Sequence, residues 1–378
     1  MRRRRFTTLL GLLVVLGLAL APGSAAGFGT IDSGGQSREH ERITRAALSC
    51  AGTAGSDPDC FQPLTMDYLA GHDREFGAVG APDSDELSDP AAHCDDADYV
   101  AGTYPRTRDQ ATASLVDCLN HMRMRFAEGL DDARGLLGPD GEVLPAEVES
   151  HPECRSREQR EERAKCATLE AFGRALHGAQ DFYAHSNWAD QPDPARPIGD
   201  ENPPGLALPA PSPLLDLRGS AAPDPPDALS TGCFVARDEV PGVGACQLRV
   251  THAGLNKDRG QIDPVTGAAA DPTTPRGMVG TNFARAVTGA VTETHRQWQD
   301  FRSELVARYG TERGERMACA LSHDDPVNDC AGTNLTVAVA VAVGLVVVAV
   351  AAILWLRRSI RRSGRGPDGS AGAAGPAR

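Results

Sequence analysis

Histidine and aspartate at helical spacing are the residues of this chain best placed to do chemistry. In the run Leu176-His-Gly-Ala-Gln-Asp-Phe-Tyr-Ala-His-Ser-Asn-Trp188, His177, Asp181 and His185 recur at every fourth position. On a helix that spacing sets all three on one face, successive residues displaced by ~6 Å. Neutral imidazoles and a carboxylate so aligned suit zinc, and Asp181 has two oxygens with which to bridge a pair of ions. The bland alternative is a polar helix face with ordinary hydrogen bonds, and the aromatic residues around these positions argue against a merely solvated one.

Further candidates are scattered along the chain. His40 lies between Glu39 and Glu41 on a short amphipathic stretch, Asp83 and His93 lie on a turn-rich segment ending at Cys94, and His252 and Asp258 share Thr251–Asp258. Standing alone, each reads as a solvated loop or surface group. His72, His121, His151, His295 and His323 are given no role, His121 reading as a core histidine on an otherwise apolar helix. The ten cysteines are even in number and include no C-x-x-C pair, which argues for disulfides and against a thiolate zinc site. Sequence does not fix the connectivity; the simplest set pairs 50–60, 154–166, 233–246 and 319–330 locally, with 94–118 across a loop.

The elements that must position these groups read as helices. Apolar residues recur at helical spacing in Ser37–Leu48, Thr107–Leu137, Arg155–Trp188 and Met278–Tyr309, and strand alternation is scarce, so an all-α helical bundle is expected. Between Pro192 and Pro226 stand eleven prolines, which no regular element tolerates. This insertion, 190–232, is either a plain surface loop or a lid or wall of the site.

The ends read as addresses. Arg2–Arg5, the apolar run Leu9–Leu20 and small residues up to Gly27 make 1–27 an export signal. The arginines loosely fit a twin-arginine signal, and the leucine-rich core suits ordinary secretion. Leu335–Leu356 is 22 residues without a charge, ~33 Å as a helix and long enough to span a bilayer. Arginines follow at once, so the positive-inside rule places the basic, disordered tail 357–378 in the cytoplasm and the helical domain 28–332 outside. The chain is thus expected in the cell membrane as a single-pass protein. Arg2–Arg5 carry +4 and the tail +5 of a net charge of −13, which leaves −22 on residues 27–356. So acidic an ectodomain is a poor non-specific binder of nucleic acid.

Taken in order, His40, Asp83…His93, His177-x-x-x-Asp181…His185 and His252 resemble the zinc-dependent phospholipase C superfamily, which also contains fungal single-strand nucleases and Het-C-like proteins. The motif around His177 looks most like the Het-C branch. The Phe-Gly-Thr-Ile-Asp run from Phe28 and the Glu-His-Glu-Arg-Ile-Thr-Arg-Ala-Ala-Leu run from Glu39 look like actinobacterial CinY proteins. The likeness covers about residues 28–310. It implies a mostly helical fold holding up to three zinc ions in a cleft. Asp83, His93, His177 and Asp181 would hold one ion. Phe28 (through a free amine after cleavage behind Gly27), His40 and Asp181 would hold a second, and His185, His252 and a carboxylate a third. The chain departs from the family in starting with phenylalanine rather than tryptophan. It also has Asn256 where the family has glutamate, and Asp258 is the expected substitute. The implied activity is a phospholipase-C-like phosphoesterase, with Asp83 as general base and a phospholipid or another phosphate ester as substrate. The alternative is a non-catalytic surface protein for envelope interaction or self-protection that keeps the fold and one structural zinc.

Overall fold

The helix over Ala164–His185 is buried on every side from Ala171 onward, although it carries His177, Gln180, Asp181 and His185. A helix without a solvated face must be wrapped by others, and the rest of the fold does this. The computed structural model describes residues 28–331 apart from 53, 54, 56, 74, 101–105, 150–153, 155–162 and 235–245, together with 347–355 and 357. In order the helices are α1 Glu39–Leu48, α2 Pro63–Ala70, α3 Pro82–Asp85, α4 Arg108–Asp132, α5 Pro145–Val148, α6 Ala164–His185, α7 His252–Leu255, α8 Asn282–Tyr309, α9 Thr311–Ser322 and α10 Pro326–Asp329. One antiparallel ribbon pairs β1 Gln261–Ile262 with β2 Ala269–Ala270.

α6 is the central helix, flanked chiefly by α4 and α8, while α1 and α9 pack on α8. Phe126, Phe172, Trp298 and Phe301 meet at ring distances of 4.9 to 6.1 Å where α4, α6 and α8 converge. The mostly helical expectation holds. α4 starts at Thr107 with a capping box to Gln110 and ends in a 3₁₀ turn over Ala133–Leu136. The first part of the expected helical stretch Arg155–Trp188, residues 155–162, lies outside the described residues. The helices α2 and α9 and the one-turn helices α3, α5, α7 and α10 fall outside the four expected stretches. All five disulfides follow the simplest pairing.

The proline-rich insertion is packed rather than loose. Asn187, just past the end of α6, donates through Nδ2 to Pro204 O and Ala228 O, and its Oδ1 accepts from Ser230 N. Trp188 Nε1 donates to Pro209 O at 2.8 Å. Leu214, Leu215, Leu217 and Leu229 are buried, so the segment is a wall of the core. The motif residues Asn187 and Trp188 therefore staple the insertion.

Residues 332–378 form a second unit. Of the expected span 335–356, residues 335–346 and 356 lie outside the described residues; 347–355 are helical. Among the described residues no helix is long and apolar enough to cross a membrane. The expected signal 1–27 and nearly all of the tail also lie outside them.

Candidate metal centre

Two glycines of α6 make room for the residues that meet its polar face. A Cβ on Gly173 would lie 2.5 Å from Ala78 Cβ and 2.8 Å from Val79 N, and one on Gly178 would lie 3.0 Å from Ala92 O. Without those side chains the segments before Asp83 and His93 come against the helix backbone, beside His177.

Asp181 is the hub of a first cluster. Its Oδ1 lies 3.2 Å from His40 Nε2 and accepts from Phe28 N at 3.2 Å. Its Oδ2 lies 3.0 Å from both His93 Nδ1 and His177 Nε2. Those two nitrogens are 3.0 Å apart, and Asp83 Oδ1 lies 4.0 and 3.8 Å from them. A tetrahedral ion with bonds of ~2.0–2.1 Å spaces its ligands about 3.3 Å apart. The observed edges therefore fit one ion among Asp83, His93, His177 and Asp181, and the ligand atoms of His40, His177 and Asp181 also lie within 4.8 Å of one another.

The far sides of the His177 and His40 rings are held as metal ligands require. His177 Nδ1 donates to Val79 O at 2.8 Å. His40 Nδ1 donates to Gln180 Oε1 at 2.7 Å, and the amide is oriented by its donations to the Thr44 and Thr294 hydroxyls. Both Nε2 lone pairs then aim at the carboxylates. His40 Nε2, Asp83 Oδ1 and His93 Nε2 are buried without hydrogen-bond partners. Buried polar atoms left so cost about 1–3 kcal/mol each, and a shared cation would satisfy those that face the cluster. The charges tell the same story. Burial pushes His93 down, yet Asp181, Asp83 and Asp95 outweigh it and hold the ring at about 9. Burial would raise Asp181, but His177, His185 and His40 hold it well below the usual carboxylate range.

A second cluster sits at the end of α6. His185 is fully buried, with Nδ1 at 3.3 Å from Asp95 Oδ1 and Nε2 at 3.3 Å from Asp258 Oδ1. The His252 ring crosses His185 edge to face at 3.9 Å. Asp95, His185 and His252 each bring one ligand atom within 4.8 Å of the others. Asp95 Oδ1, both His185 nitrogens and both Asp258 oxygens lack hydrogen-bond partners. Burial lowers His185, but Asp258, Asp181 and Asp95 raise it well above the usual histidine range.

The structure thus gathers Phe28, His40, Asp83, His93, His177 and Asp181 into one cluster, and His185, His252 and Asp258 into or beside the other. Both clusters could bind metal ions. Asp258 faces the opposite edge of His185 from Asp95, and Asn256 uses its Oδ1 to accept Asp258 N at 3.0 Å. Sequence reasoning missed Asp95; the signal was the run His93-Cys94-Asp95-Asp96, two acids directly after a candidate ligand. Cys319, His323 and Cys330 also lie together, but both sulfurs belong to one disulfide, which leaves a lone imidazole. Asp83 is the least enclosed ligand, its side chain 6% exposed, and its Oδ2 accepts from Thr30 Oγ1. Thr30 also lines a cavity of about 590 Å³ with Ile31, Arg38 and Phe76. Comparison with protein-family models, curated proteins and solved structures finds no match to this chain.

Proposed function

We propose that the chain is a membrane-anchored, extracytoplasmic, zinc-dependent phosphoesterase of the phospholipase-C type. The observation that carries this reading is the Asp181 carboxylate, whose Oδ1 meets the His40 imidazole and whose Oδ2 meets those of His93 and His177, as the two oxygens of a bridging ligand do. Asp83, His93, His177 and Asp181 would hold one zinc; Phe28, His40 and Asp181 another; His185, His252 and a carboxylate a third. Export cleavage behind Gly27 would free the Phe28 amine to serve as a ligand. Zinc bound there supplies Lewis-acid stabilisation of a phosphoryl oxygen and lowers the pKa of coordinated water.

The chain's own groups do the rest. Asp83 takes the proton of the attacking water, since it is the least enclosed acid of the cluster and its Oδ2 accepts from the hydroxyl of Thr30, a residue that lines the cavity. The cavity beside Thr30 takes the ester, with Ile31 and Phe76 as its apolar wall and Arg38 as its cation beside the acids Asp32 and Asp73. Anchoring favours a phospholipid head group or another phosphate ester at the envelope. Support for the anchor comes from 347–355, where Val347, Val348, Val350, Ile353, Leu354 and Trp355 are 50–69% exposed on a helix followed by Arg357.

Zinc-loaded chain should hydrolyse phosphatidylcholine or phosphatidylethanolamine vesicles, or bis(p-nitrophenyl) phosphate, and Asp83→Asn should lose that activity while keeping its fold. A fully loaded chain that cleaves none of them sinks the catalytic reading. The enclosure of the ligands, none above 6% exposed where an ion pair links them, favours a second reading: a non-catalytic surface protein with structural ions. That reading predicts ions retained through prolonged chelator dialysis and no hydrolysis.

A further inference from the structure

We infer that in the second cluster Asp95 is the metal-binding carboxylate, and that Asp258 is the outer partner that fixes the ring of His185. The inference rests on the reading that these clusters hold metal, and it deepens it.

An imidazole gives one nitrogen to a given ion and carries a proton on the other. His185 has a carboxylate facing each nitrogen, at 3.3 Å on both sides. One of them is therefore a co-ligand, and the other is the carboxylate that faces the protonated nitrogen. His252 decides between them, because its ligand atom converges with those of Asp95 and His185, and no such trio among the described residues includes Asp258. Nδ1 of His185 then faces the ion, and Nε2–H faces Asp258.

Both carboxylates are held where these roles need them. Lys257 N donates to Ala184 O, and its Nζ donates to Ser186 O at 2.9 Å and reaches Asp190 at 3.2 Å, all buried. This fixes the neighbouring Asp258 against the end of α6. Asp95 is set by a turn that costs conformational energy: Cys94 and Asp96, on either side of it, have φ of 60° and 73°, in the left-handed region that non-glycine residues seldom adopt. The Cys94–Cys118 disulfide and the Asp96 N donation to Gly232 O hold that turn. Its effect is to send His93 to the first cluster and Asp95 to the second. One three-residue loop then serves both, and Asn256 has no call on a metal because its side-chain oxygen caps Asp258 N.

The test is the number of ions bound by purified, metal-saturated chain carrying Asp95→Asn or Asp258→Asn. Asp95→Asn should lose one ion per chain. Asp258→Asn should keep the full count, with that ion held about 10–100-fold more weakly. Loss of the ion from Asp258→Asn with retention in Asp95→Asn overturns the assignment, as does loss from both or from neither at saturation. Should Asp95→Asn fail to fold, the cobalt-loaded chain decides. Asp95→His exchanges an oxygen ligand for nitrogen and should shift the visible absorption band; Asp258→His should not, and the reverse pattern overturns the assignment. A wild-type chain that binds no ion would instead refute the metal reading itself. Neither readout depends on phosphoesterase activity.

Discussion

Around Asp181 the partner groups arrive on segments that lie flush against α6, and each ring for which a back-side contact is described is fixed by an uncharged hydrogen bond, to Val79 O or to Gln180. Around His185 they arrive on loops and at the start of the one-turn helix α7, and buried charge holds these segments in place. Asp190 receives Lys257 and the Nε and Nη2 of Arg276, and Asp98 receives Arg249 at 2.8 Å. The first region is a helix-packing product; the second depends on ion pairs that are weak stabilisers as pairs but costly to disrupt. The two should therefore fail in different ways.

Asp181→Asn removes the hub of the first region. Loss of two ions per chain is expected, with the ion at His185 kept, read by metal analysis; loss of all three, or of one, would mean that the regions are not divided as described. Asp190→Asn strikes the second region by leaving Lys257 and Arg276 short of their buried partner. Destabilisation of about 3–5 kcal/mol is expected, with the ion at His185 lost before the others as denaturant rises. Gly173→Ala is a packing lesion in the first region. Its Cβ would meet backbone at 2.7 Å, so about 1–3 kcal/mol of destabilisation is expected, together with weaker binding at the Asp83–His93 site and no change at His185.

Lys165 serves as a control far along α6. It is buried against Thr65 Oγ1 and His323 O, and burial lowers its pKa to about 8 despite Asp324. Unfolded, it holds its proton up to about 10.5. Between those values the unfolded chain binds more protons, so this group's contribution to stability grows as pH rises from 8 to 10.5 and is lost as pH falls through 8. Lys165→Met should flatten that rise, by about 3 kcal/mol over the whole window, with metal counts unchanged. Equal slopes for the two proteins in urea melts would refute it.

What could be read from the sequence was what is local. The face carrying His177, Asp181 and His185 follows from helical period alone, and the disulfides close loops of 10 to 24 residues, so near neighbours pair. What could not be read depends on tertiary contact or unusual backbone. Asp95 becomes a ligand candidate only because Cys94 and Asp96 adopt positive φ, which the residue types do not announce. The insertion 190–232 becomes a wall only because Asn187 captures Pro204, Ala228 and Ser230, partners 17 to 43 residues away. Asp258 has a ligand's chemistry, but its side of the His185 ring is settled by the packing of Lys257.

The central claim is that one exported chain assembles a bridged metal centre around Asp181 and its own new amino terminus. The most direct measurement is zinc per chain and the first residue, on the same sample of exported protein. Close to three zinc ions with Phe28 first is the predicted result. One ion or none, with the chain beginning elsewhere, would contradict the account.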